Sequence, residues 1–66
     1  MLYLNVEAPG SSVKEIIKEM KTVAECLTNL TNVFVALQTT INDIEVVVCP
    51  NDDPQDIYDD YLNEQQ

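Results

Sequence analysis

Apolar residues recur every three or four positions from Val13 to Val48, and this spacing constrains the fold more than any other feature of the sequence. Written as heptads, all eleven core positions are apolar, and neither proline nor glycine interrupts the run. Such a repeat is typical of a long helix that packs against other helices. It predicts a helix over about 12–42 or 12–48, continuous or broken near 28–32, in a homo-oligomer. The positions expected to form this oligomer seam are Val13, Ile16, Met20, Val23, Leu27, Leu30, Phe34, Leu37, Ile41 and Ile44.

The second half of the same run also has the composition of β-strands. Val33–Val35 and Val46–Val48 consist of β-branched and aromatic residues, which favour strands. Asn42 and Asp43, which lie between them, are typical turn residues. An α+β single domain with the order β-α-β-β-α is therefore the alternative fold. The regular spacing across 28–32, which a hairpin has no reason to maintain, favours the helix, so the predicted fold class is mainly α.

The two ends of the chain carry signals for shorter elements. Leu2–Val6 is apolar and predicts a short strand or extended arm that ends at Pro9–Gly10. Ser12 followed by Glu15 fits the capping box at a helix start. Asp53–Pro54 has the residues of a second start, which predicts a short acidic C-terminal helix. We expect one domain over 1–66, with an arm at 1–10, an oligomerising core at 12–48 and an acidic tail at 50–66.

Size and missing residue types exclude several kinds of site. A chain of 66 residues buries little apolar surface, so oligomers, disulfides or metals usually add stability. The chain has no histidine or arginine, one glycine and two cysteines, Cys26 and Cys49, which we expect to be buried or neutral thiols. A zinc site, a glycine-rich phosphate loop and the usual general base are thus missing. The sequence predicts a protein that is not an enzyme and that uses no metal or cofactor.

Charge is distributed unevenly along the chain. The net charge is −9, and the lysines, Lys14, Lys18 and Lys21, all lie in the first third. Direct binding to nucleic acids or to anionic membranes is therefore not expected, since nothing after Lys21 would neutralise phosphates. A basic protein surface is the natural electrostatic partner. The other expected partner is the chain itself, in an assembly of more than two helices, because the apolar stripe is wide.

The tail after Pro50 is the main candidate for partner binding. It combines six acidic residues with aromatic and aliphatic residues at helical spacing, which is typical of an acidic surface with apolar anchors. Because the apolar run ends at Val48, we expect the tail to lie outside the folded core. The residues expected to contact a partner are Asp52, Asp53, Asp56, Ile57, Tyr58, Asp59, Asp60, Tyr61 and Leu62.

In size, charge and lack of catalytic residue types, the chain resembles the small acidic proteins that phages encode to block host enzymes, such as anti-CRISPR and DNA-mimic inhibitors. The resemblance implies an inhibitor that occupies a basic, nucleic-acid-binding surface of a target protein. Two alternatives are a structural or assembly oligomer whose coiled-coil seam is its function, and an oligomer that sequesters a ligand between protomers. Without a basic, apolar leader-like segment or a membrane-length apolar run, the expected location is the cytoplasm, of the host cell if the protein is viral.

Overall fold

The structure is a computed structural model that describes residues 1–7 and 12–65. Over these residues the chain forms a three-stranded sheet and two helices. In chain order the elements are β1 (Leu2–Asn5), α1 (Val13–Thr31), β2 (Val35–Ile41), β3 (Ile44–Val48) and α2 (Pro54–Glu64). The predicted strand end at Pro9–Gly10 lies outside the described residues.

The prediction of a mainly α chain is wrong, because the long helix ends early. Over the described residues, the fold is a small α+β domain with 49% helix and 26% strand. Asn32 adopts the left-handed conformation, with φ of 58°, and its N–H bonds to the carbonyl of Thr28. A left-handed residue closes a helix, and the β-branched residues that follow favour extended chain. The alternative order, β-α-β-β-α, is the observed one.

The heptad spacing persists in the hairpin because a step of four residues keeps a side chain on one face of a strand as well as of a helix. Leu37 and Ile41 are four apart in β2, and Ile44 and Val48 are four apart in β3. The step of three between Ile41 and Ile44 spans the turn, where these two residues pair across the strands. Three- and four-residue spacing therefore did not distinguish helix from hairpin.

The residues expected to form one oligomer seam belong to different surfaces. The core side of α1 holds Val13, Ile16, Met20 and Leu27, whereas Val23 and Leu30 on α1 and Phe34 before β2 are exposed. The remaining three, Leu37, Ile41 and Ile44, lie in the hairpin. No single helical seam exists over 12–48, since these residues are split between a helix and two strands.

The core lies between one face of the sheet and the two helices. β2 is the central strand, parallel to β1 and antiparallel to β3. α1 packs on β2 and β3, and α2 packs on α1 and β3. The buried side chains that fill this space are Ile16, Ile17, Met20 and Ala24 of α1, Val35, Leu37 and Ile41 of β2, Val46 and Val48 of β3, and Tyr61 of α2.

Both predicted helix starts are confirmed by their caps. The Ser12 hydroxyl accepts a hydrogen bond from the N–H of Glu15 at 3.4 Å. At the second helix, the Asp53 carboxylate accepts from the N–H of Gln55 at 3.0 Å, and Pro54 occupies the first helical turn. These contacts satisfy N–H groups that the helix itself leaves without a partner.

The β2–β3 turn is built from two residues in the left-handed region, with φ of 51° at Asn42 and 64° at Asp43. This pair is typical of the tight hairpin turn whose second central position favours glycine. We expect Asp43→Gly to raise the free energy of unfolding by about 0.5 kcal/mol, since it removes left-handed strain at some cost in chain entropy. Asp43→Ala, which removes the same carboxylate but keeps Cβ, should lower it. Urea denaturation measures both, and equal effects would show that the charge matters and the backbone angle does not.

Candidate interaction surface

Strand β1 is the least covered element of the fold. It pairs with β2 on one side and forms one edge of the sheet. The exposed fraction is 46% for Leu2, 56% for Tyr3, 36% for Leu4 and 37% for Val6. An apolar strand with an open edge is a template for pairing with another strand. β1 is therefore the first place to look for a binding surface.

The hydrogen bonds of β1 show which of its backbone N–H and C=O groups face β2 and which face the open edge. The N–H of Leu2 donates to the carbonyl of Phe34 at 2.8 Å, and the N–H of Val6 donates to that of Gln38 at 2.9 Å. Because hydrogen-bonding direction alternates along a strand, Tyr3 and Asn5 direct their N–H and C=O groups to the open edge. The edge thus offers two residues with both backbone groups ready for another strand.

The helix-facing side of β1 is only partly covered, because neither described helix packs on it. Leu2 lies beside Val35 in register and Leu4 lies beside Leu37, so these leucines face the same side as the core. Val35 and Leu37 are 1% and 2% exposed, whereas Leu2 and Leu4 are 46% and 36% exposed. The apolar layer of the sheet therefore extends beyond the helices that cover it.

One flank of α1 continues this apolar side. Val23 is 45% exposed and Leu30 is 74% exposed. At 100° per residue they lie opposite the flank of Lys14 and Lys18, which line a cavity with Pro54 at the start of α2. Because α2 lies on the β3 side of α1, the Val23 and Leu30 flank faces the β1 side. We call the exposed apolar group on this side the edge surface; it consists of Leu2, Leu4, Val6, Val23 and Leu30.

The edge surface is separate from most of the acidic charge. No charged side chain occurs between Leu2 and Val6. The exposed carboxylates of α2 belong to Asp56, Asp59, Asp60 and Glu64, on the helix that packs beside β3 at the other edge of the sheet. A neutral surface on a chain of net charge −9 can approach another acidic molecule at little electrostatic cost.

The residues predicted to bind a partner through the tail are divided between surface and core. Tyr61 is 3% exposed in the core cluster, and Ile57 and Tyr58 pack against that cluster. The Tyr61 hydroxyl accepts hydrogen bonds from Asn42 Nδ2 at 2.8 Å and Gln65 Nε2 at 2.9 Å. The expectation that the tail lies outside the core is therefore wrong, since Tyr61 joins α2 to the hairpin.

The other predicted tail residues lie at or near the surface. Leu62 is 38% exposed, Asp53, Asp56, Asp59 and Asp60 are exposed, and Asp52 is half-buried. Lys14 and Lys18 line a cavity of about 270 Å³ with Asp53, so the lysines lie beside the start of α2. The fold thus brings lysines from the first third of the chain next to the acidic tail.

Chemically reactive groups are sparse over residues 1–7 and 12–65. In this part of the chain no three or more Cys, Asp and Glu side chains are grouped so that they could hold a metal ion. Cys26 and Cys49 are both free, Cys26 is exposed, and Cys49 is half-buried. Burial raises the pKa of the Cys49 thiol, and the Asp52 carboxylate next to it raises the pKa further. Cys49 is thus a weak nucleophile at neutral pH.

The sequence predicts a strand or extended arm at Leu2–Val6 but predicts no binding site there. Its apolar, strand-type residues are visible in the sequence, but its position at the edge of the sheet is not, because strand order decides that. In contrast, the exposure of Val23 and Leu30 has no signal in the sequence, because they continue the apolar pattern of α1.

Compared with known proteins, this chain matches no family model, no curated protein and no solved structure. Of the two helices in the described ranges, neither combines the length and the apolar character that crossing a membrane requires.

Proposed function

We propose that this protein is a non-enzymatic assembly module that joins another polypeptide strand to its sheet at β1. The observation that carries the proposal is the open edge itself, where Tyr3 and Asn5 present backbone groups that no residue of 1–7 or 12–65 pairs with, beside the apolar edge surface. Strand addition of this kind gains affinity from backbone hydrogen bonds and specificity from side chains at alternate positions. The function is thus assembly, through a sheet edge in place of a coiled-coil seam.

The surrounding structure supports this proposal in two ways. Natural sheet edges are usually protected by charges, prolines or a covering helix, and β1 has none of these between Leu2 and Val6. In addition, a domain of 66 residues gains stability from each apolar side chain that an assembly buries. Free cysteines, one of them exposed, are in keeping with a reducing compartment, and we place the protein in the cytoplasm.

A second candidate is binding to a basic protein surface through α2. The observation that favours it is a cleft of about 220 Å³ between β3 and α2, whose charged groups are the carboxylates of Glu45, Asp60 and Glu64. Such a cleft suits a cationic side chain of a target protein, in keeping with an inhibitor that occupies a basic surface. The two candidates differ in salt dependence, because raised ionic strength weakens charge pairing and leaves strand pairing largely unchanged.

We expect Tyr3→Pro to abolish assembly and to leave the fold intact. The Tyr3 N–H faces the open edge, so proline there removes an edge donor without breaking a hydrogen bond between β1 and β2. Leu4→Pro is the matched control, since Leu4 directs its N–H toward β2 and should lose thermal stability. Size-exclusion chromatography with light scattering measures assembly of the purified protein and of tagged protein in an extract of cells that express it.

Each result of this experiment bears on the proposal. A wild-type chain larger than 7.4 kDa in either sample, with Tyr3→Pro at monomer size in both, supports edge assembly. A wild-type monomer in both samples would overturn it. Assembly that survives Tyr3→Pro would place the contact elsewhere, with α2 as the next surface to test.

A further inference from the structure

We infer that the strand added at β1 is β1 of a second copy of this chain, paired antiparallel across a two-fold axis at Leu4. The inference rests on the proposed function and names its partner. It joins two three-stranded sheets into one of six strands, with both pairs of helices on the same face. The observations behind it are the direction of the free backbone groups, the match of side chains across the axis, and the placement of charge.

The backbone groups at the edge suit an antiparallel copy. Tyr3 and Asn5 both point outward, and two such residues on facing strands form a pair that exchanges both hydrogen bonds. Placing Leu4 opposite Leu4 of the second copy sets Tyr3 opposite Asn5 in both directions. All outward N–H and C=O groups of Tyr3 and Asn5 are then used. A register that centres on Tyr3 sets Asn5 opposite Met1, and one that centres on Asn5 sets Tyr3 opposite Glu7; both partners lie outside β1.

The same register pairs apolar residues with apolar residues. On the helix-facing side, Leu2 of one copy lies opposite Val6 of the other, and Leu4 lies opposite itself. On the other side Tyr3 lies opposite Asn5, so the aromatic ring covers the amide. In each copy, the flank of α1 that carries Val23 and Leu30 then borders the joined strands. The edge surface is thus self-complementary, as a two-fold interface requires.

Charge favours a second copy at this edge and disfavours it elsewhere. Copies with a net charge of −9 repel each other through α2, where acidic residues cluster. Between Leu2 and Val6 no charged side chain would be brought against its own copy. An uncharged strand therefore permits pairing of two copies, while the acidic charge on the rest of each copy opposes the addition of further copies.

The size of the contact indicates a reversible dimer. Each copy contributes the five apolar side chains of the edge surface, which are 36–74% exposed, together with Tyr3, which is 56% exposed. Each copy also contributes the outward backbone groups of β1. Specific interfaces begin at about 1,000 Å² of total buried area, and a contact made by one strand and a few partly exposed side chains is small on that scale. We therefore expect monomer and dimer to exchange at micromolar concentration.

Site-directed cross-linking tests the register. In a background of Cys26→Ser and Cys49→Ser, Leu4→Cys places two thiols across the axis, within the Cα separation of about 4.4–6.8 Å that a disulfide needs. Leu2→Cys is the matched control, because its copies lie about 13 Å apart along the paired strands at strand spacing. Under mild oxidation with oxidised glutathione, we expect Leu4→Cys to form covalent dimers at least tenfold faster than Leu2→Cys. Adding Tyr3→Pro to the Leu4→Cys chain should abolish this advantage.

The outcomes separate this inference from the proposed function. Rapid dimers from Leu4→Cys alone support the two-fold pairing. Equal cross-linking of Leu2→Cys and Leu4→Cys indicates parallel strands, and rapid dimers from Tyr3→Cys indicate a shifted register; either overturns it. A third result is possible, in which the purified wild-type protein sediments as a monomer but forms a larger assembly in cell extract, and Tyr3→Pro abolishes that assembly. The partner is then another protein. The inference would then fail, and the proposed function would stand.

Discussion

Leu37→Asp is expected to unfold this protein, whereas Leu30→Asp is expected to leave it folded. Both leucines occupy apolar positions of the same heptad pattern. Leu37 is 2% exposed at the centre of the sheet, and Leu30 is 74% exposed near the end of α1. An unpaired carboxylate buried at Leu37 costs several kcal/mol, and a core of this size rarely supplies more than roughly 3–5 kcal/mol.

Circular dichroism and urea denaturation measure this contrast. Leu30→Asp should change the free energy of unfolding by less than about 1 kcal/mol, as surface substitutions usually do. It also provides a test of the edge surface, since a charge on this flank should weaken assembly without unfolding the chain. Equal loss of structure in the two variants would show that Leu30 is part of the core, as a helical seam requires.

Removing residues 51–66 is expected to unfold the rest of the chain. α2 packs on α1 and β3 and supplies Tyr61, Ile57 and Tyr58 to the core. Without it, Val46 and Val48, which are 4% and 0% exposed, would lose cover on the helix side of the sheet. Exposing several apolar side chains, at about 1.5–3 kcal/mol each, exceeds the stability expected of a domain this small.

A matched pair of point variants locates this effect in one side chain. Tyr61→Ala should destabilise the fold by about 3–5 kcal/mol, the usual cost of removing a buried aromatic ring. Leu62→Ala, one residue further along at 38% exposure, should cost less than about 1 kcal/mol. Thermal melting monitored by circular dichroism measures both. A truncated chain that keeps its helical signal and cooperative melting would contradict the placement of α2 in the core.

The acidic character of α2 is compatible with its structural role because the helix is amphipathic. Asp56, Asp59 and Asp60 are exposed, while Tyr61 points into the core. Neutralising the acids should therefore leave the fold intact. Their proposed contact with a basic partner is independent of the edge surface.

Local chemistry along the sequence determined the ends of several elements. The cap at Ser12, the cap and proline at Asp53–Pro54, and the turn at Asn42–Asp43 are visible in the sequence and present in the structure. Each depends on contacts or backbone angles within a few neighbouring residues, which explains why short patterns predict them. The strand at Leu2–Asn5 is visible in the sequence through its apolar and aromatic residues, although its hydrogen bonds are to the distant strand β2.

Tertiary structure alone decided whether the middle of the chain is helix or hairpin, and which apolar residues are buried. A spacing of four is common to one face of a helix and one face of a strand, so the pattern up to Val48 fits both. Once Asn32 closes α1, β2 becomes the central strand, and Leu37 is buried while Leu30 is not. The open edge at β1 is likewise a property of strand order and of where two short helices lie. No residue in β1 encodes it, because an edge exists only relative to the strands and helices that the rest of the chain supplies.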